Sequence, residues 1–127
     1  MPKVLVVDDE EPIRFLYKEE LTEEGYEVVE AASGQGLLER IEQENPDVVI
    51  LDIKLADADG LDLLQEIRNR YYDLPVILCS AYEVFKGDLK AISADAYVVK
   101  SSDLTPLKKA VRRALEGRGG TERKGKG

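Results

Sequence analysis

Val48-Val49-Ile50-Leu51-Asp52 is the stretch on which the fold turns. Four apolar residues in succession leave no polar face for water, so the segment reads as a central parallel strand covered on both sides. A carboxylate follows immediately. Three other segments repeat the arrangement: Val4-Leu5-Val6-Val7 runs into Asp8-Asp9, Val76-Ile77-Leu78-Cys79 into Ser80, and Tyr97-Val98-Val99 into Lys100.

Between these runs the apolar period changes from that of a strand to that of a helix. A strand over 3–7 leads to a helix over 12–24, with Ile13, Leu16, Tyr17 and Leu21 on one face. Pro12 suits its first turn and Gly25 its end. A short strand over 26–30 follows, and Ser33 is placed to cap a helix over 34–44 that turns Leu37, Leu38 and Ile41 inward. After the strand over 48–51, a loop over 53–60 leads to a helix over 61–70 with Leu61, Leu64 and Ile67 in register. A strand over 75–79, a weaker helix over 83–92 and a strand over 96–99 come next. Asp103 then caps a last helix with the stripe Leu104, Leu107, Val111 and Leu115. Such repeated strand–helix alternation implies an α/β fold, a five-stranded parallel sheet with helices on both faces. Right-handed crossovers favour the flavodoxin-like order 2-1-3-4-5.

Parallel strands deliver their last residues to one edge, where open α/β sheets bind ligands. Three carboxylates, a hydroxyl and an ammonium are therefore expected in one crevice. Clustered carboxylates repel one another unless a cation intervenes. All-oxygen ligands favour a hard ion, Mg²⁺ (or Mn²⁺), and zero His with one Cys leaves zinc few ligands. A carboxylate screened by such an ion can attack phosphorus and form an acyl phosphate. Lys100 would hold a phosphoryl oxygen by charge and Ser80 would donate to another. Each residue also has an ordinary reading. Asp8 and Asp9 suit helix caps, Asp52 a turn, Ser80 a cap and Lys100 a solvated surface. Their joint placement after buried strands favours the site.

Of the 127 residues, 43% are hydrophobic and 35% charged, which fits a globular domain over 1–116. No apolar run approaches the ~20 residues of a membrane span, and the N-terminus does not read as a secretory signal. The lone Cys79 excludes an internal disulfide and suits the cytoplasm. Net charge is −8: the segment 117–127 carries +3, leaving −11 on 1–116. The acidic body is a poor platform for nucleic acid, and the basic, glycine-rich segment 117–127 reads as a flexible tail.

With these residues in place, the chain resembles the receiver domain of bacterial two-component response regulators over nearly its whole length. Asp8-Asp9 resembles the family's metal-binding acidic pair, Asp52 its phosphoacceptor, Ser80 its Ser/Thr, Lys100 its lysine and Tyr97 its switch aromatic. The stretch Asp52-Ile53-Lys54-Leu55-Ala56-Asp57-Ala58-Asp59-Gly60 is similar to the family's phosphorylation loop. The resemblance implies that the backbone carbonyl of Lys54 is a further metal ligand. It also implies phosphotransfer from a phosphohistidine on a sensor histidine kinase or histidine phosphotransfer protein. Ser80 and Tyr97 would then move together, and output would run through a downstream protein partner or onward phosphotransfer. The chain would catalyse only its own phosphorylation and dephosphorylation. Tyr97 also reads as a plain core aromatic. Lys54 and Tyr82, each two residues beyond a site residue, either shield the acyl phosphate from water or are ordinary loop residues. Two positions depart from the family. Ser101 replaces the proline that usually follows the lysine, so a trans bond and an altered loop are expected. Ala56 replaces a common loop proline, and a looser loop is expected.

Two rival readings belong to other classes. A Mg²⁺-dependent phosphatase with an aspartyl-phosphate intermediate would use a similar kit, but its second acid would stand where Lys54 is. A nucleotide site at Gly34-Gln35-Gly36 is only a partial match, and Glu39 would repel a pyrophosphate.

Overall fold

The structure, a computed structural model, describes residues 1–81 and 94–119. Its elements run β1 (Lys3–Val7), α1 (Glu11–Glu23), β2 (Glu27–Ala31), α2 (Leu37–Glu44), β3 (Val48–Asp52), α3 (Gly60–Arg70), β4 (Val76–Ser80), β5 (Ala96–Val99) and α4 (Thr105–Gly119). The five strands form one sheet in the order β2-β1-β3-β4-β5, with every pair parallel. The expected helix over 83–92 lies outside the described residues.

Alternate residues along each strand feed two separate cores. Leu5, Val7, Val49, Leu51 and Leu78 pack with Leu37 and Ile41 of α2 and with Leu63, Leu64 and Ile67 of α3. Val4, Val6, Ile50, Ile77 and Val98 pack on the other side with Tyr17 and Leu21 of α1 and with Leu107 and Val111 of α4. β1, β3 and β4 are covered on both faces, so their unbroken apolar runs have somewhere to go.

Helix limits follow from local chemistry. Pro12 lies in the first turn of α1, and Glu10, not Asp8 or Asp9, is its N-cap. Gly25 ends the helix at φ +98°, where its N–H donates to Thr22 O and that of Tyr26 donates to Leu21 O. This pair of bonds is a Schellman close. α2 begins at Leu37, three residues later than the sequence indicates. Gly36 takes the left-handed φ of +69° at its N-cap, and Ser33 Oγ instead accepts the N–H of Gln35 in the preceding turn. α4 continues to Gly119, three residues into the span assigned to the tail, and Asp103 Oδ1 accepts from the Thr105 N–H at its start. Among the described residues no helix is long and apolar enough to cross a membrane.

Candidate functional site

Strand register brings the acids together. β1 and β3 are neighbours with Val7 opposite Leu51, so Asp8 and Asp52 emerge side by side at the carboxyl edge. Both are nearly shut from solvent, at 2% and 5% exposure. Asp9 follows in the loop and remains partly exposed. One oxygen from each of Asp8, Asp9 and Asp52 lies within 4.8 Å of the others.

Lys100 leaves the end of β5, two strands away from β3. Its side chain spans that gap, and Nζ reaches Asp8 Oδ2 and Asp52 Oδ2, both at 3.0 Å. The peptide bonds here are trans; none among the described residues is cis. Ser101 in place of proline leaves the lysine aimed at the acids. The Lys100 N–H donates to Ser80 O at 2.7 Å, extending the β4–β5 ladder one step. Ser80 is itself buried at the end of β4.

Burial pushes the Asp52 carboxyl above its ordinary value. Its hydrogen bond and ion pair with Lys100 pull it back, the Asp8 charge pushes it up again, and the net direction is upward. Burial alone would lower Lys100, but its bonds to Asp8 and Asp52 more than offset this and hold it charged. Beneath the acids, Cys79 pairs with Asp52 across the sheet and neighbours the hydroxyl of Tyr17. Burial is the largest cause that pushes the thiol up to about 12, which makes it inert at neutral pH.

The loop between Asp52 and α3 is tightly tied, contrary to the looser loop expected from Ala56. The Lys54 N–H donates to Asp52 Oδ1 (3.2 Å), that of Ala56 to Asp9 Oδ2 (2.7 Å) and that of Gly34 to Asp57 Oδ1 (3.2 Å). Lys54 and Asp59 form an antiparallel bridge, and Asp59 Oδ1 caps α3 through the Leu61 N–H. Gly60 is obligatory in this arrangement, because a Cβ there would lie 2.3 Å from Asp52 O and 2.6 Å from Ile53 Cα. At Gly34 a Cβ would meet the side chains of Leu63, at 2.7 Å from Cδ1, and Ala58, at 3.1 Å, so this glycine packs closely beneath α3.

The structure thus brings together Asp8, Asp9, Asp52 and Lys100, with Ser80 at the same edge. Lys54 stands exposed beside them. Tyr97 is half-buried and packs with the core shared by α2 and α3. Tyr82 lies outside the described residues. Two contributors escape sequence reasoning: the Ala56 amide, and Arg14, whose Nη1 donates to Asp8 O at 2.9 Å while Nε pairs with Glu30. A lone arginine next to Ile13 on the inner side of α1 is the one signal for the latter.

The donor set fits a divalent cation. Three carboxylates face a single ammonium, leaving two negative formal charges to be met by an ion that prefers oxygen.

A doubly covered parallel sheet carrying an acidic cluster and a lysine at its carboxyl edge has the architecture of a CheY-like signalling domain. The chain belongs to the response regulator receiver domain family, whose model matches residues 4–112. It is similar to the response regulator TrrA of Thermotoga maritima, solved in complex with Mg²⁺-BeF: 45% identity, 91% of this chain and 100% of that one, TM-score 0.85. TrrA has also been solved in complex with the histidine kinase ThkA, with 44% identity over 91% of this chain and 99% of that chain, TM-score 0.83. A CheY-like receiver domain protein of Methanospirillum hungatei is 29% identical over 93% of this chain and 96% of that chain, TM-score 0.84.

Proposed function

We propose that the chain is a phosphoacceptor switch of a two-component or phosphorelay pathway, phosphorylated on Asp52. The observation that carries this reading is the buried Asp52 carboxylate, held between the Lys100 ammonium and the acids of β1. A carboxylate oxygen of Asp52 forms a P–O bond while the P–N bond of a phosphohistidine breaks, and the electron pair leaves with the partner's imidazole nitrogen. Lys100 sits where it can turn from the carboxylates to an oxygen of the arriving group, and Ser80 is placed to donate to another. Asp8, Asp9, Asp52 and the Lys54 carbonyl would hold Mg²⁺ (or Mn²⁺), which when bound supplies charge neutralisation for the phosphoryl oxygens.

The donor is a sensor histidine kinase or a histidine phosphotransfer protein; the complex of TrrA with a histidine kinase supports this. The complex of TrrA with Mg²⁺-BeF, a phosphoryl mimic, supports both the metal and the acyl-phosphate reading. Ser80 and Tyr97 respond as switch residues, and output passes to a downstream protein partner or by onward phosphotransfer. The chain acts on its own phosphoryl group and on no other substrate. A phosphatase is disfavoured because Lys54, exposed, stands where a second catalytic acid would be needed. A cytoplasmic setting accords with the free, buried thiol of Cys79.

Incubation with Mg²⁺ and acetyl phosphate, followed by intact mass, tests the assignment. One added phosphoryl group is expected on the wild type and none on Asp52→Asn; an unlabelled wild type, or a labelled variant, refutes it. Followed in time after donor removal, the same mass reads the proposed shielding by Lys54 and Tyr82. Replacing both with alanine should speed loss of the label, and an unchanged lifetime removes that role.

A further inference from the structure

Each of the three clustered carboxylates accepts one backbone N–H. Asp8 Oδ1 takes that of Glu10 at 2.9 Å, Asp52 Oδ1 that of Lys54 at 3.2 Å, and Asp9 Oδ2 that of Ala56 at 2.7 Å. The first two donors are two residues along the chain, so any sequence turning there supplies them. The third comes from 47 residues away, across the site. It requires that position 56 not be proline, which has no N–H to give; here the residue is alanine.

We propose that the Ala56 amide is a positioning group for the cation site, holding the Asp9 carboxylate in its ligating orientation before the ion arrives. Asp9 needs such help most. Asp8 and Asp52 are buried and held by Lys100 as well, whereas Asp9 is partly exposed, and among the described residues this is the one hydrogen bond its carboxylate accepts. A carboxylate offers about four lone-pair sites, so a bond at Oδ2 leaves Oδ1 and a further lone pair for a metal. The amide is itself fixed. Asp57 holds the Gly34 N–H, Leu55 donates to Ala58 O, and the Lys54–Asp59 bridge closes the loop on either side of residue 56. Hydrogen bonds to metal ligands from outside the coordination sphere set ligand direction, and losing one typically weakens binding by 10–100-fold.

The proposal rests on reading Asp8, Asp9 and Asp52 as a divalent-cation site, and the experiment separates the two. Mn²⁺ titration of the full unphosphorylated chain, followed by electron paramagnetic resonance, is carried out on wild type, Asp9→Ala, Ala56→Pro and Ala56→Gly. Binding by the wild type and its loss in Asp9→Ala upholds the site; no binding by the wild type overturns site and proposal together. With the site upheld, Ala56→Pro is expected to bind about tenfold more weakly, and Ala56→Gly, which keeps the N–H, within about twofold of wild type. Equal affinity in Ala56→Pro overturns the proposal. Should Ala56→Pro fail to fold, hydrogen exchange of the Ala56 amide in the wild type decides. Protection kept or raised by saturating Mg²⁺ supports positioning, while protection lost on Mg²⁺ addition means that ion and amide compete, and overturns it.

Discussion

At the scale of single residues, burial sets Asp52 against its own charge. Its folded carboxyl titrates above the ordinary 3.8, so between that value and the raised one the folded chain carries a proton that the unfolded chain has lost. Stability therefore falls as pH rises through this window, and at neutral pH the ionised Asp52 costs the fold free energy. Asp52→Asn should raise the unfolding free energy at neutral pH without divalent cations, the gap closing as pH falls toward 3.8. Urea unfolding at the two ends of the range checks this; a variant less stable than wild type at neutral pH contradicts burial as the dominant cause. Asp8, Asp52, Ser80 and Lys100 are legible in the sequence because each ends an apolar run, and a parallel sheet turns that order into proximity. The Ala56 amide is not legible. A backbone N–H has no letter of its own, and only the missing proline hints at it. The closeness of Tyr17 to Cys79 is equally hidden, since it joins a helix face to a strand face through packing.

At the scale of elements, α3 is mounted so close to β3 that the contact sets the residue type. The Gly60 N–H donates to Ile53 O at 2.6 Å, and the space for a side chain is filled by the backbone of Asp52 and Ile53. Gly60→Ala must push α3 away or bend the end of β3. Because the obstacle is main chain, the cost is expected near the upper end for overpacking, ~3 kcal/mol, with acyl-phosphate formation impaired in step. Urea denaturation and the mass measurement read the two effects, and a variant of wild-type stability contradicts the close mount. The periodic pattern locates α3 but overlooks Leu63, which joins Leu64 and Ile67 in the core. It also starts α2 too early, because a serine followed by a helical period looks like a cap. Gly36 decides otherwise, by its left-handed backbone at the N-cap. Strand positions fare better, because uninterrupted burial leaves few ways to shift a run such as Val48–Leu51.

For the whole molecule, excess acid is the dominant electrostatic fact: −8 overall, part of it gathered at one edge of the sheet. A divalent cation that binds the folded site and not the unfolded chain should stabilise the protein by RT ln(1 + [L]/Kd), about 2.7 kcal/mol at a hundredfold excess over Kd. Thermal unfolding in excess Mg²⁺ against EDTA reads this, and Asp9→Ala should lose the difference; an equal gain in that variant would place the stabilising ion elsewhere. Strand order and the two-sided core follow from alternation and crossover handedness and are legible at this scale.

Alternation along the strands carries one more consequence. Asp8, Asp52 and Lys100 continue the positions that point toward α1 and α4, whereas Ser80 and Tyr97 continue those that point toward α2 and α3. The acids and lysine proposed to receive the phosphoryl group thus continue one side of a single partition, and the pair proposed to switch continues the other. If the proposed roles hold, substitutions packed against α2 and α3 would re-tune the reply while leaving Asp8, Asp52 and Lys100 on the far side in place.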